Sequence, residues 1–194
     1  MRYLAVLLLT VAVNGCSVVY SLQPLHEKPD QSLESTLTGR WDLTTEDASG
    51  TVLLSPCKVG GQPLLKFVPE GAEDNDDFAL RPGRVQGELY VSYTPIPDDE
   101  TDAKAEDIRY GFAWLQKEKD GYRIQAIDAE ALAEYLHAHP RAVKHRFDKL
   151  TISGNDAEEV VLTAKPIALR RFVHRLQKCP EVWECLGTMQ RHKD

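Results

Sequence analysis

The chain has 194 residues, of which 42% are hydrophobic and 27% are charged, and its formal net charge is −7. This length suits one domain, and the composition is that of an ordinary globular protein. An acidic chain repels nucleic acid and anionic lipid headgroups. The sequence therefore argues against nucleic-acid binding, and attachment to a membrane should not depend on a basic surface.

The N-terminal segment has the pattern of an export signal. Arg2 places a positive charge at the start of the chain, and residues 3–13 form an uncharged apolar run. A charged start, a short apolar core and small residues before a cleavage site are typical of a secretory signal peptide. The run is shorter than the roughly 20 apolar residues that span a bilayer as a helix. We therefore expect residues 1–15 to be a signal peptide.

The end of this segment, Val13-Asn14-Gly15-Cys16, resembles the lipobox of bacterial lipoproteins. The resemblance implies cleavage between Gly15 and Cys16, a diacylglyceryl thioether on Cys16, and acylation of the new amine by a fatty acid such as palmitate. Two or more acyl chains hold a protein firmly on a membrane. Because Ser17 follows, where Asp tends to retain lipoproteins in the inner membrane, the resemblance implies the outer membrane with the domain facing the periplasm. The alternative is a secreted protein whose Cys16 is a core or disulfide cysteine.

The segment after Cys16 has the composition of a tether. Residues 17–38 are polar, contain Pro24 and Pro29, and have no helical or strand period. Proline stiffens such segments into extended forms. Alternatively, Gln23-Pro24-Leu25 packs on the domain as a strap. The expected organisation in chain order is a signal peptide, a lipidated N-terminus with a tether, a globular domain and a C-terminal tail containing cysteines, at residues 1–15, 16–36, 37–178 and 179–194.

The globular part is predicted to open with a strand over residues 37–43. Gly39-Arg40-Trp41 is similar to the Gly-x-Trp of the first lipocalin strand, whose Trp closes one end of an apolar barrel. This resemblance implies a binder of a small apolar ligand. Trp41 is also a natural core residue, because large aromatic side chains anchor packing.

Further strands are predicted at residues 50–55, 63–68 and 87–93, and residues 110–127 predict a hairpin that turns at Asp120-Gly121. Tyr110, Phe112 and Trp114 alternate with smaller or aliphatic residues and so share one face of the hairpin. We expect these three side chains and Trp41 to border the ligand cavity if the protein is a binder.

Two helices are predicted late in the chain. Asp128 is a natural cap for a helix over residues 129–137, which Pro140 ends. Pro166 suits the first position of a second helix, in which Leu169, Phe172, Val173 and Leu176 keep the spacing of a core-facing stripe. With a strand at residues 158–163 before this helix, the predicted fold class is α+β. We expect an antiparallel β-rich body, partly barrel-like, with two helices packed on it.

The cysteines leave a pairing open. If Cys16 is lipidated, Cys57, Cys179 and Cys185 remain, which is an odd number in an oxidising compartment. A Cys179–Cys185 disulfide would close a small loop and leave Cys57 free. Alternatively, Cys57 pairs with either C-terminal cysteine and fastens the tail to the body.

No motif assigns a reaction. The sequence has no Gly-x-Ser-x-Gly element and no His beside Cys57. His137, His139 and His145 are the best polar group, and their imidazoles could share a transition metal if the helix frays at Pro140. On an intact helix, positions two apart point about 200° apart, so His137 and His139 cannot both reach one ion. The acidic segments at residues 70–77 and 98–107 lack the spacing of a calcium-binding EF-hand loop. We expect no catalytic residue, metal or cofactor.

The order of short motifs resembles outer-membrane lipoproteins of uncharacterised function. The motifs are Gln23-Pro24-Leu25, a Leu-x-Gly-x-Trp strand at residues 37–41, a Tyr-x-Phe hairpin at residues 110–114 and Leu-Thr-Ala at residues 162–164. The leading hypothesis is a lipid-anchored, non-enzymatic accessory or partner-binding module of the cell envelope. The alternative is a lipocalin-like binder of a small apolar ligand, and an enzyme ranks last.

Overall fold

The computed structural model of the chain describes residues 17–28, 30–59, 62–70, 77–96, 108–152 and 155–193. The predicted lipidation and cleavage site at Gly15 and Cys16 lies outside the described residues, as do most of the two acidic segments. The strands are β1 Ser17–Ser21, β2 Gly39–Thr44, β3 Ser49–Val59, β4 Gln62–Pro69, β5 Phe78–Val85, β6 Glu88–Pro95, β7 Gly111–Lys117, β8 Gly121–Ile127, β9 His145–Ile152, β10 Asn155–Leu162 and β11 Trp183–Arg191. The helices are α1 Gln31–Leu37, α2 Ala129–Ala138, α3 Pro166–Leu176 and a single 3-10 turn at Pro180–Val182.

Eight strands form a closed antiparallel barrel. Strands β2 to β8 follow one another around the wall in chain order, and β11 returns from the end of the chain to lie between β8 and β2. The predicted hairpin is present as β7 and β8, with Trp114 opposite Gln125. A closed wall leaves no unpaired sheet edge. The predicted α+β class with a barrel-like antiparallel sheet is therefore confirmed.

A second layer covers one side of the barrel. Strands β1, β10 and β9 form a three-stranded sheet in which β1 runs parallel to β10 and β9 is antiparallel to it. Helices α2 and α3 bury Leu132, Leu136, Leu169 and Phe172 in the same cluster as Tyr90, which lies on the outer face of the barrel wall. The described residues therefore form two apolar cores, one inside the barrel and one between the barrel and this layer.

Both predicted helices are present because their signals are local. The Asp128 side chain accepts a hydrogen bond from the Ala131 amide at 2.9 Å and so caps α2. Pro166 occupies the first turn of α3, and the predicted stripe of this helix is buried. The predicted strand at residues 158–163 is β10, although its partner β9 was not predicted.

The interpretation of residues 17–38 as an extended tether is wrong for the described residues. Strand β1 pairs with β10, Leu25 is fully buried, and its amide donates to Ser92 Oγ at 2.9 Å. Asp30 then caps α1, accepting from the Ser32 amide. The long-range partners of this segment lie more than fifty residues away in the chain, so no local period reveals its structure.

Residues 179–194, which were predicted to form a C-terminal tail, contain strand β11. Residues 188–191 of β11 pair with β2, and residues 183–190 of the same strand pair with β8. Met189 is buried inside the barrel. Because β11 joins the first and last strands of the meander, the barrel closes only through the segment that was predicted to be a tail.

Candidate functional site

The interior of the barrel holds a cavity of about 80 Å³. Its wall is made of aliphatic and aromatic side chains, and the Tyr93 hydroxyl is the one polar side-chain group among them. The lining residues are Leu37, Leu43, Leu54, Phe67, Phe78, Leu80, Val91, Tyr93, Ala113, Leu115, Ile124, Leu186 and Met189. With this lining the cavity offers a bound molecule apolar contact and almost no hydrogen bonding.

Helix α1 closes one end of the barrel. It leads directly into β2, so its position marks the end at which β2 begins and β11 finishes. Leu33 and Leu37 of α1 are buried in the same cluster as the barrel interior. At the opposite end lie Phe78, Tyr93 and Leu186, near the start of β5, the end of β6 and the start of β11. Of these, Tyr93 and Leu186 are only partly buried, so the cavity is less covered at the end away from α1.

Trp41 is fastened at the α1 end by Arg191. The indole Nε1 of Trp41 donates to the Leu37 carbonyl at 2.7 Å, and the Arg191 guanidinium carbon lies 4.3 Å from the Trp41 ring centroid. Arg191 also donates to the carbonyls of Thr38 at 2.7 Å and Thr36 at 3.0 Å. One guanidinium therefore joins β11, β2 and α1, which holds the closed end of the barrel together.

Gly39 is required by this arrangement. Its φ is +127°, a backbone conformation that disfavours any side chain, and a Cβ there would overlap Arg191 Nη1. The Gly-x-Trp pattern at residues 39–41 thus has a physical explanation: Gly39 admits the guanidinium and Trp41 receives it. Sequence reasoning missed Arg191, because a lone arginine near the end of a chain carries no local signal.

The structure separates the four residues predicted to border a cavity. Trp41 is buried in the barrel interior beside Tyr122 but does not line the cavity itself. Tyr110, Phe112 and Trp114 lie on the outer face of the wall and pack into the second core. Alternation correctly placed these three together, but it does not say which face is inside. Because the second layer buries the outer face of β7, that face also carries large apolar residues.

Tyr93 marks the less covered end of the cavity. Its ring makes an edge contact with Phe78, with centroids 6.3 Å apart. Burial raises the pKa of the Tyr93 hydroxyl to about 12. The Tyr93 hydroxyl is therefore uncharged at neutral pH, so this side chain places no charge at the cavity. Leu89, Val91 and Tyr93 alternate along the sequence of β6, and in the structure they share the inner face of this strand.

The cysteines do not form the bonds left open by the sequence. Cys57, Cys179 and Cys185 are free thiols in this structure, with Cys185 exposed and the other two half-buried. The 3-10 turn separates Cys179, after α3, from Cys185 on β11. Burial raises the pKa of the Cys57 thiol, which disfavours the reactive thiolate.

The histidines of the α2 region pack against aromatic rings. His137 stacks on Phe147 with centroids 4.3 Å apart, and its Nε2 lies 3.2 Å from Glu158 Oε2. His139 stacks on Tyr135 instead, at 4.5 Å. Within the described ranges, no group of three or more His, Cys, Asp or Glu side chains is arranged to hold a metal ion.

Comparisons with protein families, with curated proteins and with solved structures found no match to this chain. Among the described residues, no helix combines the length and apolar character needed to cross a membrane.

Proposed function

We propose that the protein is a lipocalin-like binder of a small apolar molecule, held in the cell envelope by lipid on Cys16. The observation that carries the binding proposal is an apolar cavity inside a closed eight-stranded barrel. A polar ligand would lose its hydrogen bonds to water without replacement there, at a cost of several kcal/mol. An apolar ligand gains about 25 cal/mol for each Å² removed from water.

The size of the cavity limits how a ligand enters. A volume of about 80 Å³ is below the roughly 150 Å³ that holds benzene in an engineered protein cavity, and below the roughly 300 Å³ of the smallest ordinary ligand pockets. A larger ligand must therefore displace side chains. Leu80, Tyr93 and Leu186 are partly exposed, and Met189 has the flexible side chain that adapts most readily. Entry from the end away from α1 moves these residues and leaves the Arg191–Trp41 contact intact.

Filling the cavity tests this proposal. Ala113→Leu places three more carbon atoms in the space a ligand needs, whereas Ala138→Leu adds the same atoms on an exposed position of α2. We expect a neutral naphthylamine fluorophore to bind the full chain, and Ala113→Leu to weaken its binding by about tenfold or more, a difference of about 1.4 kcal/mol. Ala138→Leu should bind as the parent does. Equal binding by Ala113→Leu and the parent would rule out the barrel interior as the site.

A partner-binding accessory module is the second candidate. It is favoured by the same small volume, because a barrel filled by its own side chains can act through its surface instead. Native mass spectrometry of the full chain with Cys16→Ser separates the two candidates. An apolar molecule that co-purifies with the parent and not with Ala113→Leu supports the binder. A mass equal to that of the protein alone, together with no binding of the fluorophore, supports the accessory module.

The envelope location rests on residues 13–16 of the sequence. Metabolic labelling with palmitate in a bacterial host tests it directly, because the lipobox proposal requires label on the mature chain and none after Cys16→Ser. Fractionation should place the labelled chain in the outer membrane. Label that persists in Cys16→Ser would contradict lipidation at this residue.

A further inference from the structure

A basic groove lies on the outside of the molecule, between α3 and the turn that joins β5 to β6. Its volume is about 610 Å³. The α3 wall presents Arg170, Arg171, His174 and Arg175, and the end of β5, just before the turn, presents Arg84. We call this feature the arginine groove. It is separate from the barrel cavity, since the two share no lining residue.

The arginine groove is a local reversal of the charge of the protein. The chain as a whole has a formal net charge of −7, yet residues 165–178 contain five Lys or Arg residues, one His and no Asp or Glu. The buried stripe of α3 faces the second core, so the basic residues collect on the opposite, outward side of the helix. A concentration of one charge in a concave site raises the local concentration of opposite charges.

No described carboxylate pairs with these guanidinium groups. Arg40, Arg109 and Arg123 each form an ion pair with a glutamate at 2.9 Å, whereas none of the four groove arginines has a described ion-pair partner. The charge of Arg84 contributes to lowering the pKa of Asp30, but the larger cause is the hydrogen bond from Ser32 to that carboxylate. Like charges gathered without ion-pair partners among the described residues repel one another, so a bound anion would relieve the repulsion.

Backbone carbonyls hold three of the arginines in place. Arg170 donates to the Leu25 carbonyl at 2.8 Å, Arg84 donates to the Gly87 carbonyl at 2.8 Å, and Arg175 donates to the Ala142 carbonyl. Each such bond uses one terminal nitrogen of a group that has five N–H donors. These bonds hold the three side chains in place and leave their positive charges and remaining N–H donors available. Less side-chain entropy is therefore lost when an anion binds.

We propose that the arginine groove binds a phosphoryl group. A phosphoryl group carries one or two negative charges and several acceptor oxygens, which suits several guanidiniums that line one groove better than a single carboxylate does. Ile167, which is 58% exposed at the same groove, offers apolar contact to the part of the ligand next to the phosphate. The phosphoryl group comes from the headgroup of an anionic phospholipid or from a small soluble phosphate compound.

Arg171 gives the cleanest test, because it has no hydrogen bond or ion pair to the described residues whose loss would disturb the fold. Arg171→Gln removes a charge from the α3 wall, and Arg84→Gln removes one from the opposite wall. Arg40→Gln is the matched control, since it removes the same charge from an exposed position on β2. All variants are made in the full chain carrying Cys16→Ser, so that no acyl chain contributes to vesicle binding.

Two probes distinguish the sources of the phosphoryl group. Inorganic pyrophosphate is titrated by calorimetry, and vesicles of phosphatidylcholine with and without phosphatidylglycerol are used in co-sedimentation. We expect saturable binding of at least one probe, about tenfold weaker in Arg171→Gln and in Arg84→Gln, as the loss of one charge-assisted hydrogen bond predicts. Arg40→Gln should bind as the parent does.

The result identifies the ligand source or overturns the proposal. Pyrophosphate binding without a phosphatidylglycerol requirement identifies a soluble phosphate compound. Vesicle binding that requires phosphatidylglycerol and is reduced by pyrophosphate identifies a lipid headgroup. Absence of saturable binding to both probes overturns the proposal, and so does an equal loss of binding in Arg171→Gln and Arg40→Gln. None of these results depends on ligand binding inside the barrel, because that binding is measured separately with the neutral fluorophore.

Discussion

Arg191 fastens the closed end of the barrel, so its removal should cost stability in proportion to the contacts it makes. These are hydrogen bonds to the Thr38 and Thr36 carbonyls at 2.7 and 3.0 Å and the approach of its guanidinium to within 4.3 Å of the Trp41 ring centroid. Arg191→Met keeps most of the aliphatic stem and removes only the guanidinium. The change therefore isolates these three contacts from the packing of β11.

The expected loss is about 2 kcal/mol in the free energy of unfolding. Each hydrogen bond contributes about 0.5 to 1 kcal/mol, the lower part of the usual range, because the Arg191 side chain is exposed. A cation–π contact at an exposed site adds about 0.5 to 1 kcal/mol. For a chain of this length, a loss of that size should lower the melting temperature by about 4–8 °C.

Urea unfolding of the full chain, followed by circular dichroism, measures the loss. Arg123→Met is the control, because Arg123 forms an exposed ion pair with Glu118 at 2.9 Å on neighbouring β8. Exposed pairs contribute about 0 to 1 kcal/mol, so the control should cost less than half as much as Arg191→Met. Arg191→Lys should recover less than half of the loss, since one ammonium lacks the planar fork that reaches both carbonyls.

Equal small losses in Arg191→Met and Arg123→Met would refute this reasoning. Such a result would mean that the end of β11 frays in solution. The barrel would then be closed by the earlier part of β11, residues 183–189, and Arg191 would have no structural role.

Three further predictions concern single sites. Gly121→Ala should destabilise the fold by about 3 kcal/mol, because a Cβ there would overlap the Met189 carbonyl oxygen, and a loss below about 1 kcal/mol in urea unfolding would contradict this close approach. A chromogenic disulfide reagent should label Cys185 faster than Cys57, because Cys185 is exposed whereas burial raises the pKa of the Cys57 thiol, and equal rates would refute this order. In a spectrophotometric titration, Tyr93 should stay protonated above pH about 10, where tyrosine in an unfolded chain ionises, because burial raises its pKa to about 12. The neutral Tyr93 hydroxyl therefore contributes its full stabilisation below pH about 10, and this stabilisation is lost as the pH rises towards 12. A Tyr93→Phe variant that loses stability as steeply as the parent between these pH values would contradict the raised pKa of Tyr93.

The elements that the sequence predicted correctly are those with local signals. The cap at Asp128 and the proline at position 166 mark the starts of α2 and α3, and a tight turn joins β7 to β8. Each of these signals acts within about four residues, which is the range over which helix caps and hairpin turns operate. The α+β class followed from them.

The elements that the sequence missed are held by partners far away in the chain. Strand β1 is ordered by β10, and Leu25 is held by Ser92. Pairing over such separations depends on which surfaces meet in the folded molecule, and a segment's own composition does not record it. A polar, proline-containing stretch was therefore interpreted as a tether although it is built into the fold.

The sequence by itself determined the helices α2 and α3, the hairpin of β7 and β8, and which residues of each strand share a face. Only the tertiary structure decided which face became the interior of the barrel. It put Ala113 and Leu115 inside and Phe112 and Trp114 outside, because α2, α3 and the small sheet bury the outer face as well. When both faces of a strand are buried, alternation separates two sets of residues without assigning either to the interior. The tertiary structure also decided that β11 closes the barrel and that Arg191 contacts Trp41.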